Sequence, residues 1–147
     1  MDTQGFVLKA LVHAADIHDR EGGRLLLEAM PDLPQQFPRL RHLWVDAGYR
    51  GQFVEWVQST FGWSIKVVKH WWTGVSKVWV FAGQEPPEIP AGFQVLPWRW
   101  IVERTFAWLS RSRRLSKDYE YLPATSEAMI YLAMTRLMLR RLAQAQP

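Results

Sequence analysis

His42-Leu-Trp-Val-Asp-Ala-Gly-Tyr-Arg-Gly-Gln-Phe-Val-Glu-Trp-Val-Gln-Ser-Thr-Phe-Gly-Trp-Ser-Ile-Lys-Val-Val-Lys69 switches its hydrophobic period twice, and that switch decides the fold class. Residues 42–46 read as a buried strand that ends in an acid, Asp46. A tight turn, Ala47-Gly-Tyr-Arg-Gly51, follows. Residues 52–61 then carry apolar side chains at Phe53, Val54, Trp56, Val57 and Phe61, the spacing of an amphipathic helix, and residues 65–69 return to a β-branched run. A strand, a helix and a second strand in this order predict a parallel pair covered by helices.

Working upstream, residues 6–13 (Phe-Val-Leu-Lys-Ala-Leu-Val-His) read as a strand preceded by the turn Asp2-Thr-Gln-Gly5. A turn placed so early implies a strand before it. Gly22-Gly23 opens a short predicted helix over residues 24–30, and Pro31, Pro34 and Pro38 punctuate the connection to residue 42. The order β-α-β-α-β gives an α/β fold with a partly parallel sheet. Downstream, residues 70–96 are rich in Trp, Gly and Pro and read as a hairpin or loop insertion with strands near 78–81 and 93–96. Pro97 suits the first turn of a helix running to about Leu115. A last helix is expected from Thr125 or Ser126, with Met129, Ile130, Ala133, Leu137 and Met138 alternating with Arg136, Arg140 and Arg141. There is no internal repeat and no domain boundary, so residues 1–147 are expected to form a single unit.

Composition narrows the function classes. At 147 residues and 48% hydrophobic content with nine tryptophans, the chain can fill a core and is not a disordered tail. No apolar run approaches the ~18–20 residues that span a bilayer. The first residues lack a basic stretch followed by an apolar one. A cytoplasmic location without membrane contact is the expectation. Zero cysteines exclude disulfides and thiolate metal sites, so any metal must bind oxygen or imidazole. Residues 1–96 are nearly neutral, whereas residues 97–147 hold nine Lys/Arg against four acids. Eight of those nine are arginines, whose guanidinium favours bidentate phosphate contact and base stacking, which makes nucleic acid the first partner to consider.

Two acids stand out. Asp46 ends a hydrophobic strand, and the carboxyl ends of strands in parallel α/β sheets are where sites are built. The alternative is a turn or N-cap aspartate. Glu103 lies four residues after Arg99 among Val102, Phe106, Trp108 and Leu109, a setting that argues against a merely solvated carboxylate. Its readings are a metal ligand or a helix-surface pair with Arg99 worth about 0.3–0.5 kcal/mol. If both acids face one point, hard divalent cations suit them. Two such ions ~3.5–4 Å apart can stabilise the attacking and leaving oxygens of a phosphoryl displacement. His13, Asp16, His18 and Asp19 cluster in sequence but fit no zinc spacing, and a hydrogen-bonded loop is the preferred reading. Trp71, Trp72 and Trp79 could stack bases or pack the insertion.

Residues 12–20 (Val-His-Ala-Ala-Asp-Ile-His-Asp-Arg), 44–51 (Trp-Val-Asp-Ala-Gly-Tyr-Arg-Gly), 99–108 (Arg-Trp-Ile-Val-Glu-Arg-Thr-Phe-Ala-Trp) and 113–120 (Arg-Arg-Leu-Ser-Lys-Asp-Tyr-Glu) together resemble the C-terminal part of the catalytic domain of bacterial insertion-sequence DDE transposases, of the family five or family four type. The resemblance spans about residues 2–142. It implies a ribonuclease H-like mixed sheet flanked by helices, with Asp, Asp and Glu binding Mg²⁺, or Mn²⁺ in its place, for DNA strand cleavage and transfer at transposon ends. By motif, Asp46 matches the second acid and Glu103 the third. Arg99 matches the arginine of the family's arginine-three-residues-glutamate signature. Leu96 and Ser110 stand where that signature has tyrosine and lysine, so Arg111 or Arg113 would take over a phosphate contact. The implied DNA contacts are Tyr49, Arg50, Arg99, Arg104, Arg111, Arg113, Arg114 and Lys117. The first acid belongs on a strand upstream of Asp2, so the N-terminal strands including it are expected to be missing and the chain alone to lack activity. A homo-oligomer or a complementing upstream transposase segment is the expected partner besides DNA. The alternative function is a non-catalytic DNA-binding or regulatory transposase fragment. A protein-interaction domain without nucleic acid is the third class.

Overall fold

The computed structural model describes residues 1–68, 98–117 and 119–144. The strand-helix-strand expectation is realised there. Strand β1 (His42–Val45) pairs in parallel with β2 (Ser64–Val67), with Leu43 opposite Ile65 and Val45 opposite Val67. Helix α3 (Gln52–Phe61) makes the crossover, with its boundaries where the periodicity put them. It stops at Gly62, whose φ of +68° is the left-handed conformation that closes a helix, and the Gly62 N–H donates to the Gln58 carbonyl at 3.0 Å. Val67 ends β2 two residues short of the expected Lys69, which lies outside the described residues.

Alternation along the strands sets two faces. Leu43, Val45, Ile65 and Val67 occupy one side, while His42, Trp44, Ser64 and Lys66 occupy the other. Leu43, Val45 and Ile65 pack against a core made by Leu27, Leu33, Phe53, Val57 and Trp63. Leu27 belongs to helix α1 (Asp19–Glu28) and Leu33 to the short helix α2 (Leu33–Gln36). The glycine pair does not open α1, as expected from the sequence, but lies inside it. A Cβ at Gly23 would stand 2.6 Å from Tyr49 Cε1, so the glycine permits close approach of helix and turn.

Residues 6–13 form no strand, contrary to expectation. Their backbone turns to side chains of helix α5 (Pro123–Gln144): Ala10 N–H donates to the Tyr131 hydroxyl at 3.0 Å and Val12 N–H to Glu127 Oε1 at 2.9 Å. Helix α4 (Arg99–Ser110) ends five residues before the expected Leu115. Ser112 is extended, and the chain continues as a short 3₁₀ turn, Arg113–Leu115. Helix α5 begins at Pro123 rather than at Thr125 or Ser126, because proline's missing N–H costs nothing in a first turn. The buried residues of this C-terminal part are Ile101 and Thr105 on α4 and Ser126 and Met134 on α5. The predicted insertion at 70–96 lies outside the described residues. A parallel pair with helices is compatible with part of a ribonuclease H-like domain, though the mixed sheet is not seen among the described residues. No helix there is long and apolar enough to cross a membrane.

Candidate active site and nucleic-acid interface

Asp46 follows β1 directly, with extended backbone, and caps the 3₁₀ turn Ala47–Tyr49: its Oδ1 accepts from Gly48 N–H at 2.8 Å. A second carboxylate approaches the same turn. A Cβ on Gly48 would stand 2.6 Å from Asp19 Oδ2 and 3.1 Å from Asp46 Oδ1. The first turn of α1 therefore brings Asp19 beside Asp46, a neighbour that no spacing in the sequence announced. Only the adjacency of Gly48, a residue without Cβ, hinted at close approach here. Tyr49 packs on Phe53 with ring centroids 5.1 Å apart. Burial first, then the charges of Asp19 and Asp46, push the Tyr49 phenol above its ordinary value. His13 is occupied otherwise, packing against Gly22 with Nδ1 2.8 Å from the Ala14 carbonyl oxygen.

Glu103 stands on α4, with Oε1 accepting from Arg99 Nε at 3.2 Å. Their side chains are 65% and 47% exposed, so Glu103 is solvated, contrary to the expectation from its apolar neighbours. Those neighbours explain the error: Val102 and Phe106 are themselves 40% and 63% exposed, so apolar composition here does not mean burial. Trp44 and Trp98 link the two acids' elements, with ring centroids 5.1 Å apart. Trp44 precedes Asp46 by two residues, and Trp98 precedes the Arg99–Glu103 helix.

The expected cations fall into distinct groups. Arg111, Arg113 and Lys117 are exposed at the basic corner of the chain where α4 gives way to the 3₁₀ turn. Arg114, in the same turn, pairs with Glu120 at 2.5 Å. Arg50 is exposed beside the Asp46 turn. Arg104 is drawn inward: its guanidinium lies over both the Trp100 and Trp108 rings, at 4.3 and 4.7 Å, and Nη2 donates to the Gln4 carbonyl at 2.7 Å. An open cleft of about 380 Å³ between α1 and α3 is lined by His18, Arg20, Glu21, Arg24, Gln52, Phe53 and Trp56, and does not include the two acids.

A family model described as a transposase DDE domain matches residues 43–140, and a second of the same description matches residues 1–71. The chain belongs to the DDE transposase family. No curated protein and no solved structure matches it. The DDE transposase match spans β1, α3, β2, α4 and most of α5, so it includes Asp46, Glu103 and the basic corner. DDE transposase domains act on DNA and typically use divalent metals. Among the described residues, however, no three His, Asp or Glu side chains come together to hold an ion. Asp46 gives one oxygen to Gly48 and Glu103 gives one to Arg99. These residues therefore do not make up a complete metal site of a DDE transposase.

Proposed function

We propose that this DDE transposase chain takes part in strand cleavage and strand transfer at transposon ends. In this reading Asp46 and Glu103 are two of the acids, and Mg²⁺ or Mn²⁺ is bound only when a further carboxylate joins from outside the described residues. The observation that carries the reading is the family match over 43–140, which contains both acids and the cations around them. Arg111, Arg113 and Lys117 supply phosphate contacts at the basic corner, with Arg99, Arg114, Arg50 and Tyr49 as further DNA contacts. A homo-oligomer or a complementing upstream transposase segment is the proposed partner besides DNA, and the proposed compartment is the cytoplasm.

Two measurements test this. Binding of the chain to a duplex should weaken steeply with salt, and Arg111→Ala or Arg113→Ala should each flatten the logarithmic salt slope by about 0.9. A salt-independent affinity removes DNA from the reading. Strand cleavage assayed with the upstream segment supplied should appear for the wild-type chain and vanish for Asp46→Asn, while DNA binding survives. Cleavage that Asp46→Asn leaves intact refutes the role given to Asp46.

A further inference from the structure

Arg104 immediately follows the proposed acid Glu103, and its surroundings are unlike those of the other expected DNA contacts. Trp100, Arg104 and Trp108 recur every four residues, so they line one side of α4. The Arg104 guanidinium lies over both indoles. Beyond Trp108 the ladder continues with Arg141 of α5, 4.5 Å from that ring's centroid and 4.8 Å from that of Phe6. Alternating cations and rings thus tie α4, α5 and the N-terminal segment together. At the N-terminal segment, Arg104 Nη2 donates to the Gln4 carbonyl and the Thr105 hydroxyl donates to the Gly5 carbonyl at 2.8 Å. Gly5 has a φ of +85°, and a Cβ there would stand 2.7 Å from Thr105 Oγ1.

A guanidinium grips a phosphate through two parallel N–H groups, commonly Nε and one Nη. In Arg104, Nη2 is committed to Gln4, and Nε is buried without a hydrogen-bond partner among the described residues. The Nε–Nη2 fork is therefore closed to an external anion. We infer that Arg104 is a positioning residue rather than a phosphate ligand: it pins the turn at residues 2–6 to α4 and so fixes the helix that carries Arg99 and Glu103. The inference rests on the DNA reading only for the word phosphate; the pin itself is a property of the DNA-free chain.

The test compares Arg104→Ala, Arg104→Lys and Gly5→Ala in the full chain. DNA-free near-ultraviolet circular dichroism should lose the signal of the two indoles held by the guanidinium in Arg104→Ala. Arg104→Lys should not restore it, since an ammonium cannot lie flat between two rings. Gly5→Ala, which leaves every charge in place, should lower the melting temperature by undocking the same turn. On DNA, the logarithmic salt slope should match the wild type for both Arg104 variants, whereas Arg111→Ala flattens it by about 0.9. A slope flattened by that same amount in Arg104→Ala and restored in Arg104→Lys overturns the inference. An unchanged near-ultraviolet spectrum in Arg104→Ala overturns it as well. A wild-type chain that does not bind DNA refutes the proposed function but leaves the spectroscopic arms to decide the pin.

Discussion

Gly23→Ala sets two effects of opposite sign against each other, and the structure says which wins. Gly23 lies within α1, where replacing glycine by alanine ordinarily stabilises a helix by about 0.5–1 kcal/mol. The new Cβ, however, would stand 2.6 Å from Tyr49 Cε1 and 3.0 Å from Phe53 Cε2. Phe53 is a core residue only 6% exposed, and Tyr49 packs against that core, so the Phe53 ring cannot yield without disturbing its neighbours. Overpacking of this kind costs about 1–3 kcal/mol, leaving a net loss of about 0–2.5 kcal/mol, centred on about 1 kcal/mol. With a urea m value of about 2 kcal/mol/M, the unfolding midpoint should fall by roughly 0.5 M. Equilibrium urea unfolding followed by tryptophan fluorescence measures this. In a Tyr49→Ala background the closest contact is gone, and the cost of Gly23→Ala should shrink by at least about 1 kcal/mol. A midpoint that rises in Gly23→Ala, or a cost unchanged by Tyr49→Ala, refutes the packing argument.

Three further outcomes are expected. Glu103→Gln removes a solvent-exposed pair and should cost only about 0.3–0.5 kcal/mol in urea unfolding while abolishing strand cleavage, since the proposed role of Glu103 is chemical; a loss above about 2 kcal/mol would mean a structural role instead. Asp46→Ala removes the acceptor for Gly48 N–H and should destabilise the chain by about 0.5–2 kcal/mol, whereas Asp46→Asn keeps an acceptor oxygen and should stay near wild-type stability. The Tyr49 phenol, raised by burial and by Asp19 and Asp46, binds its proton more tightly folded than unfolded. Its contribution is thus full below the ordinary value of 10.0 and is lost as pH rises through and above it, so wild type should lose stability there faster than Tyr49→Phe.

Period and punctuation determined the local elements whose neighbours lie close in sequence. The switch from strand to helix to strand over 42–69 fixed β1, α3 and β2, because each element buries one face against the next. The family resemblance likewise followed from residue identities, and the match over 43–140 agrees with it. Where a hydrogen bond or contact joins distant residues, the sequence was silent or misleading. Residues 6–13 have strand composition, yet Ala10 and Val12 give their N–H groups to Tyr131 and Glu127, more than a hundred residues away. Glycines at 22 and 23 read as the opening of a helix, but they lie inside α1, where His13 and Tyr49 need the space they leave. Asp19 and Asp46 meet at Gly48 only because α1 packs on the turn, and Arg104 turns inward only because the N-terminal segment lies across α4. Sequence alone thus determined the β1–α3–β2 unit and the family to which the chain belongs. Tertiary structure decided which acids share a turn and which cations remain available to a phosphate, because burial and long-range hydrogen bonds are settled by packing between segments.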